Sequence, residues 1–243
     1  MRYIISILFT LACLPLFCQS ISADEVIKHS INYHDPDQRL MRETVELEIN
    51  EPRPDQDERK TIVRFDPAHD YFSYHGFVGK SKRKVELSHG KIKMLDDQDK
   101  QIDEQNQNEA EKRMVTRLPM FKNYYHYLWF LPKKLNDPGN IIHPEVKTVD
   151  FFGKELLEIK VTYEPAVGED IWYVYFDPVS YAMSGYRFYH DEAANDGEYI
   201  LIEGETVFEN IRIPKTRKWY KHQKDEYLGM DDLMSFKVIK SKN

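Results

Sequence analysis

From residue 44 onward, apolar residues recur at every second position over most of the chain. Val45, Leu47 and Ile49 alternate with Thr44, Glu46 and Glu48, the pattern of a strand buried on one face only. The same period predicts strands over 61–65, 70–77, 84–87 and 92–95, then over 146–151, 157–163 and 171–176. It predicts further ones over 183–189, 199–202, 207–213, 217–220 and 233–239. Pro52 and Pro54 end the first strand. Ser88-His89-Gly90-Lys91 makes a hairpin turn in which Gly90 supplies a positive φ. Asp177-Pro178 and Asn195-Asp196-Gly197 turn the chain in its second half. Consecutive strands joined this tightly pair as an antiparallel meander, since parallel crossovers need helices between the strands.

Two stretches break the period of two. Ser22-Ala23-Asp24-Glu25 has the spacing of a capping box, and Val26, Ile27 and Ile31 form one apolar face. A short helix is expected over 24–33, with His34-Asp35-Pro36 as its exit turn. The second stretch, 118–135, opens with Leu118-Pro119 and is closed by Pro132. Proline suits the first turn of a helix and pushes the residue before it out of helical geometry. Phe121, Tyr125 and Leu128 share one face with Leu118, while Met120, Tyr124, Tyr127 and Leu131 fill a second. Between the two prolines only Lys122, Asn123 and His126 form a narrow polar stripe. A helix so apolar is expected to be covered on almost every side. With strands everywhere else, the expected fold is α+β, mainly β: a curved antiparallel sheet, a half-barrel meander, with an aromatic helix on its concave face and a short N-terminal helix.

Composition narrows the function. The 243 residues carry a formal net charge of −7 and include 16 Tyr and 13 Phe. An acidic chain without a basic block is a poor match for nucleic acid or an anionic membrane surface. Residues 96–111 hold seven acidic residues and one lysine. Asp97-Gln98-Asp99 begins like a calcium loop, but neither the sixth-position glycine nor the twelfth-position glutamate follows. A solvated, flexible acidic loop is expected there.

Arg2, the apolar run from Tyr3 to Phe17 and the small residues Ser20, Ser22 and Ala23 read as an export signal. Cleavage is expected between residues 19 and 25. The organisation is then a signal peptide, 1–22, followed by a single domain, 23–243. The run is too short to span a membrane comfortably, so an integral membrane protein is not expected. Both cysteines, Cys13 and Cys18, lie in the signal, which leaves no thiol or disulfide chemistry in the mature chain. Thr10-Leu11-Ala12-Cys13 is a partial lipobox and Pro15-Leu16-Phe17-Cys18 a poorer one. A lipid-anchored envelope lipoprotein is the alternative they leave open.

No nucleophile elbow, Walker loop, dinucleotide fingerprint or His-Glu-x-x-His motif occurs, and no cofactor is implied. The nine histidines are scattered; His69 and His75 come nearest to ligand spacing but would lie roughly 20 Å apart along a strand, so no metal site is expected. Paired carboxylates brought together in space are still compatible with a hydrolase. What remains is aromatic surface. A sheet that curls around a helix leaves a concave apolar mouth where hydrophobic ligands bind. The candidate ligand-binding residues are Phe121, Tyr124, Tyr125, Leu128 and Trp129 on the helix, with Trp172 and Tyr175 on the strand 171–176.

Tyr127-Leu128-Trp129-Phe130-Leu131-Pro132 followed by Lys134-Leu135-Asn136-Asp137-Pro138-Gly139 resembles a family of secreted bacterial proteins of uncharacterised function. Tyr163-Glu164-Pro165, Val167 to Tyr173, Tyr186 to Tyr189, Ile213-Pro214-Lys215, Trp219-Tyr220 and Tyr227 to Asp231 carry the likeness onward. The layout is also similar to the half-barrel of LolA/LolB-type lipoprotein carriers. The resemblance implies a curved sheet sheltering helices around an acyl-chain cavity, and no catalytic residues. The function expected is a secreted, non-enzymatic binding protein, periplasmic or extracellular, that takes a lipid or other hydrophobic ligand in its concave face. The rival expectations are an envelope interaction module without a ligand and a hydrolase whose site is not visible in sequence.

Overall fold

The computed structural model describes residues 21–57 and 59–239. The expected signal segment falls outside them except for Ile21 and Ser22, and so do Cys13 and Cys18. Ser22 is the N-cap of α1 (Ala23–His34). Its hydroxyl accepts from the Glu25 N–H, and the Glu25 carboxylate accepts from the Ser22 N–H, the reciprocal box that its spacing predicts.

Among the described residues twelve strands form one antiparallel sheet. The first five are β1 (Thr44–Asn50), β2 (Lys60–Asp66), β3 (Tyr71–Val78), β4 (Ser81–Ser88) and β5 (Lys91–Leu95). After α2 (Glu109–Trp129) come β6 (Asn140–Phe151), β7 (Lys154–Tyr163), β8 (Ile171–Phe176), β9 (Met183–Asp191), β10 (Asp196–Phe208), β11 (Ile211–Lys221) and β12 (Tyr227–Ile239). The spatial order is β5-β4-β3-β2-β1-β12-β11-β10-β9-β8-β7-β6. Two meanders are thus stitched together where the first strand pairs with the last, Thr44 opposite Ile239. In β1 the alternation holds: Val45, Leu47 and Ile49 are fully buried and their neighbours are not. At the β4–β5 turn Gly90 has φ 73°.

This order explains where α2 lies. The chain leaves β5 at one edge of the sheet and must enter β6 at the other. A helix of 21 residues spans about 31 Å at 1.5 Å per residue, enough to cross the concave face. One hydrophobic core joins α1, α2 and the inward residues of both meanders. Phe151, Leu156 and Tyr175 form a small separate cluster on the opposite, convex face.

Four expectations need correction. The helix begins ten residues before Pro119, at a second capping box in which Asn108 and Glu111 satisfy each other's backbone N–H groups. Pro119 therefore sits inside the helix, on an exposed turn. The buried stripe is Glu111, Met114, Leu118, Tyr125, Leu128 and Trp129. Coverage is also incomplete, with Met120 56% and Tyr124 38% exposed, because strands lie under one side of the helix only. The acidic segment is not all connector. Ile102 packs on the core, Leu95 bridges Gln101, and buried Glu111 pairs with Arg83 at 2.6 Å. Finally, the strands expected at 199–202, 207–213 and 217–220 are two long ones, β10 and β11, that turn at 209–210 and pair in one continuous register. Pro214 is tolerated within β11 because it lies beyond the stretch that pairs with β12.

Candidate functional site

Three buried polar devices fix the helices on the sheet, two of them holding α2 and the third α1. Glu51, just after β1, is buried yet fully satisfied: it accepts from the Arg59 guanidinium at 3.0 and 3.1 Å, from the Thr61 hydroxyl, and from the Tyr125 hydroxyl at 3.1 Å. Arg217 on β11 is wholly buried and lies 3.8 Å from the centre of the Trp129 ring. It donates to the carbonyls of Leu128 and Pro214, so a cation meets the negative end of the helix dipole. His34, at the end of α1, accepts from the Met183 N–H at 3.0 Å while its other ring nitrogen meets the Arg212 carbonyl at 2.8 Å. That arrangement needs the neutral ring, and burial pushes the His34 pKa down.

Held this way, α2 leaves a cavity of about 480 Å³ between itself and the strands β8–β12. Tyr124, Tyr127 and Leu128 line it from the helix. Trp172, Phe188, Glu198, Trp219 and Leu228 line it from β8, β9, β10, β11 and β12 in turn, and Arg53 from the β1–β2 connection. The rings brace one another. Trp172 stacks on Tyr186 and Phe188 with centroids 5.5 and 5.1 Å apart. Tyr124 stacks on Trp219 at 6.5 Å. Asp231, itself buried, accepts from the Trp219 indole N–H at 2.8 Å and from Arg53 at 2.6 Å. Gly229 permits that contact. It has φ +135°, and a Cβ there would lie 2.5 Å from the Arg53 side chain.

A second cavity of about 400 Å³ lies beyond the wall made by Tyr127 and Trp172, which line both. The two rings meet edge to face at 5.5 Å, and the Tyr127 hydroxyl bonds the Tyr163 hydroxyl at 2.7 Å. Burial pushes the Tyr163 phenol up to about 12. His126 lines this second cavity, between Phe65 at 5.1 Å and Phe130 at 4.6 Å. Burial takes its pKa down to about 3, with Lys134 and Lys122 adding to the effect.

The residues nominated from sequence separate here. Tyr124, Leu128 and Trp172 line the main cavity. Phe121, Tyr125 and Trp129 face elsewhere: Phe121 and Tyr125 pack with Tyr74 on β3, and Trp129 lies under Arg217. Tyr175 lies on the convex face, stacked 3.9 Å from Phe151 and bonded to Glu158. Its position was legible, because residues three apart on a strand point to opposite faces and Trp172 faces inward. Arg53, Tyr127, Phe188, Glu198, Trp219 and Leu228 were not nominated. Register places Phe188 directly opposite both Trp172 and Glu198, which local periodicity does not reveal.

Among the described residues the main cavity is lined by aromatic and aliphatic side chains with the charged Arg53 and Glu198, a shaped apolar volume that carries charge. Among the described residues no group of three or more His, Cys, Asp or Glu is arranged to hold a metal ion, and no helix is long and apolar enough to cross a membrane.

Residues 4–235 match the model of a family of unknown function, DUF6503. Among curated proteins none matches the sequence. The fold is similar to that of a LolA superfamily protein from Nitrosomonas europaea, with TM-score 0.54 at 9% identity over 92% of this chain and 96% of that one. It is also similar to a DUF1329 family protein from Desulfovibrio piger, with TM-score 0.50 at 9% identity over 90% and 94% of the two chains. The architecture is therefore a LolA-like half-barrel, as the sequence pattern implies.

Proposed function

From the premise that this chain belongs to the DUF6503 family of unknown function, we propose that it is an exported, non-enzymatic carrier that takes a lipid or another apolar ligand between α2 and β8–β12. The observation that carries this reading is the aromatic cavity of about 480 Å³, within the roughly 300–1,000 Å³ range of small-ligand sites. Its walls are braced before any ligand arrives, which reduces the ordering cost of binding. The likeness in fold to a LolA superfamily protein is in keeping with such a role. Export rests on the expected signal over 1–22, with a periplasmic or extracellular destination.

The test combines native mass spectrometry of the exported protein with titration by Nile red, an uncharged apolar dye. A co-purified apolar molecule and a saturable dye site are expected. Leu228→Trp fills the cavity from β12 and should reduce dye affinity at least about tenfold, given that ~0.8 kcal/mol attends each buried methylene. Wild-type protein that neither carries nor binds any apolar molecule, or a filled variant that binds dye as wild type does, overturns the reading. Diacylglycerol on Cys13 or Cys18 in the intact mass would replace the freely exported protein by an anchored one.

A further inference from the structure

Among the described residues two charged side chains line the main cavity, Arg53 and Glu198, and they differ in what they offer a ligand. Arg53 is spent: its guanidinium donates to Asp231 and to the carbonyls of Pro52 and Met230. Glu198 is different. Among the described residues its carboxylate accepts no hydrogen bond and forms no ion pair. The cations whose fields reach it are already paired elsewhere, His190 with Asp170 at 2.7 Å, Lys221 with Glu226 at 3.0 Å and Arg53 with Asp231.

Its neighbours are aromatic. On β9 the residue directly opposite Glu198 is Phe188, and Trp172 is the next in that row on β8. On β11 Glu198 is opposite Lys221, so Trp219 is its diagonal neighbour on the same face. Direct cross-strand neighbours are about 5 Å apart and diagonal ones about 7–8 Å. Tyr124 and Tyr127 close the volume from the helix. An acid without a counter-ion, set among aromatic rings, is an environment that attracts an organic cation.

We propose that this cavity selects an apolar ligand bearing an ammonium group, with the alkyl part along Leu128 and Leu228 and the cation held between Glu198 and the rings of Trp172, Phe188 and Trp219. This rests on the carrier reading and names its ligand class. A cation there also resolves the desolvation that raises the Glu198 pKa. An anionic amphiphile meets the opposite situation, because the one cationic side chain in the wall already has its partners.

The experiment uses three amphiphiles of equal chain length below their critical micelle concentrations: decyltrimethylammonium, decanol and decyl sulfate. Affinity is read by displacement of Nile red and by calorimetry. Wild type should bind the ammonium about tenfold or more tighter than the alcohol, which is about 1.4 kcal/mol, and the sulfate weakest, through cation–π contact and charge. Glu198→Gln should remove most of that preference, so that the ratio of ammonium to decanol affinity falls toward one while the Tm is unchanged. Trp219→Leu should weaken the ammonium more than the alcohol. If decanol binds but the ammonium has no advantage, or if Glu198→Gln leaves the advantage intact, the inference fails and the carrier reading stands. If none of the three binds, both fail together.

Discussion

His126 provides a sharp test of how α2 is packed. Its ring lies between Phe65 and Phe130, and its Nε2 has no hydrogen-bond partner among the described residues. The folded chain resists protonating it, with a pKa near 3 against 6.5 for the free side chain. Above pH 6.5 neither state is protonated and the group contributes nothing to pH dependence. Below pH 6.5 the unfolded chain takes up a proton that the folded chain refuses, so stability falls as pH falls, down to about pH 3. Each pH step in that window costs about 1.4 kcal/mol, which is roughly 2 kcal/mol between pH 6.5 and pH 5. For a chain of this size that corresponds to about 4–8 °C in Tm. His126→Phe keeps the ring stack and removes the titration. It also removes an unsatisfied buried nitrogen, so at pH 8 the variant should be at least as stable as wild type. Urea unfolding of both proteins at pH 8, 6.5 and 5 measures the difference directly. His34, also pushed down by burial, is common to both proteins and cancels. Parallel curves for wild type and variant between pH 8 and 5 would refute the packing argument.

Two further outcomes follow from the same geometry. Replacing 97–100 by glycine and serine should leave Tm within a few degrees, since Asp97, Gln98, Asp99 and Lys100 are all exposed. Arg83→Met should cost about 3 kcal/mol or more by leaving Glu111 buried and unpaired at the start of α2; equal Tm losses from the two changes would contradict this division of the segment. Arg217→Met should cost about 1–3 kcal/mol in chemical denaturation for the carbonyls of Leu128 and Pro214 it deserts. Arg217→Ala should cost clearly more, because a cavity is added under Trp129. A methionine variant as stable as wild type would show that the guanidinium makes no net contribution.

Several features were decided by the sequence within a few residues of themselves. The alternation at Val45, Leu47 and Ile49 dictates which face of β1 is buried. Ser22 and Glu25 cap α1 by spacing alone, and Gly90 sets the β4–β5 turn. These are local, because a period of two, a reciprocal cap and a positive φ each involve neighbours in the chain. The extent of α2 depends on more. Asn108 and Glu111 carry the signature of a cap, but they lie in a stretch whose charge reads as solvated. Only the distant Arg83 on β4 makes burial of Glu111 tolerable. Likewise Pro119 reads as a helix start until the upstream turns find a sheet to pack on. The cavity owed least to local pattern. Tyr124 and Glu198 are joined only because β5 and β6 sit at opposite edges, which sends α2 across the concave face. The row Trp172–Phe188–Glu198 exists only through strand register. Register and edge order are set by the pairing of β1 with β12 and by which residues the whole core can bury, and those constraints act between residues nearly two hundred positions apart.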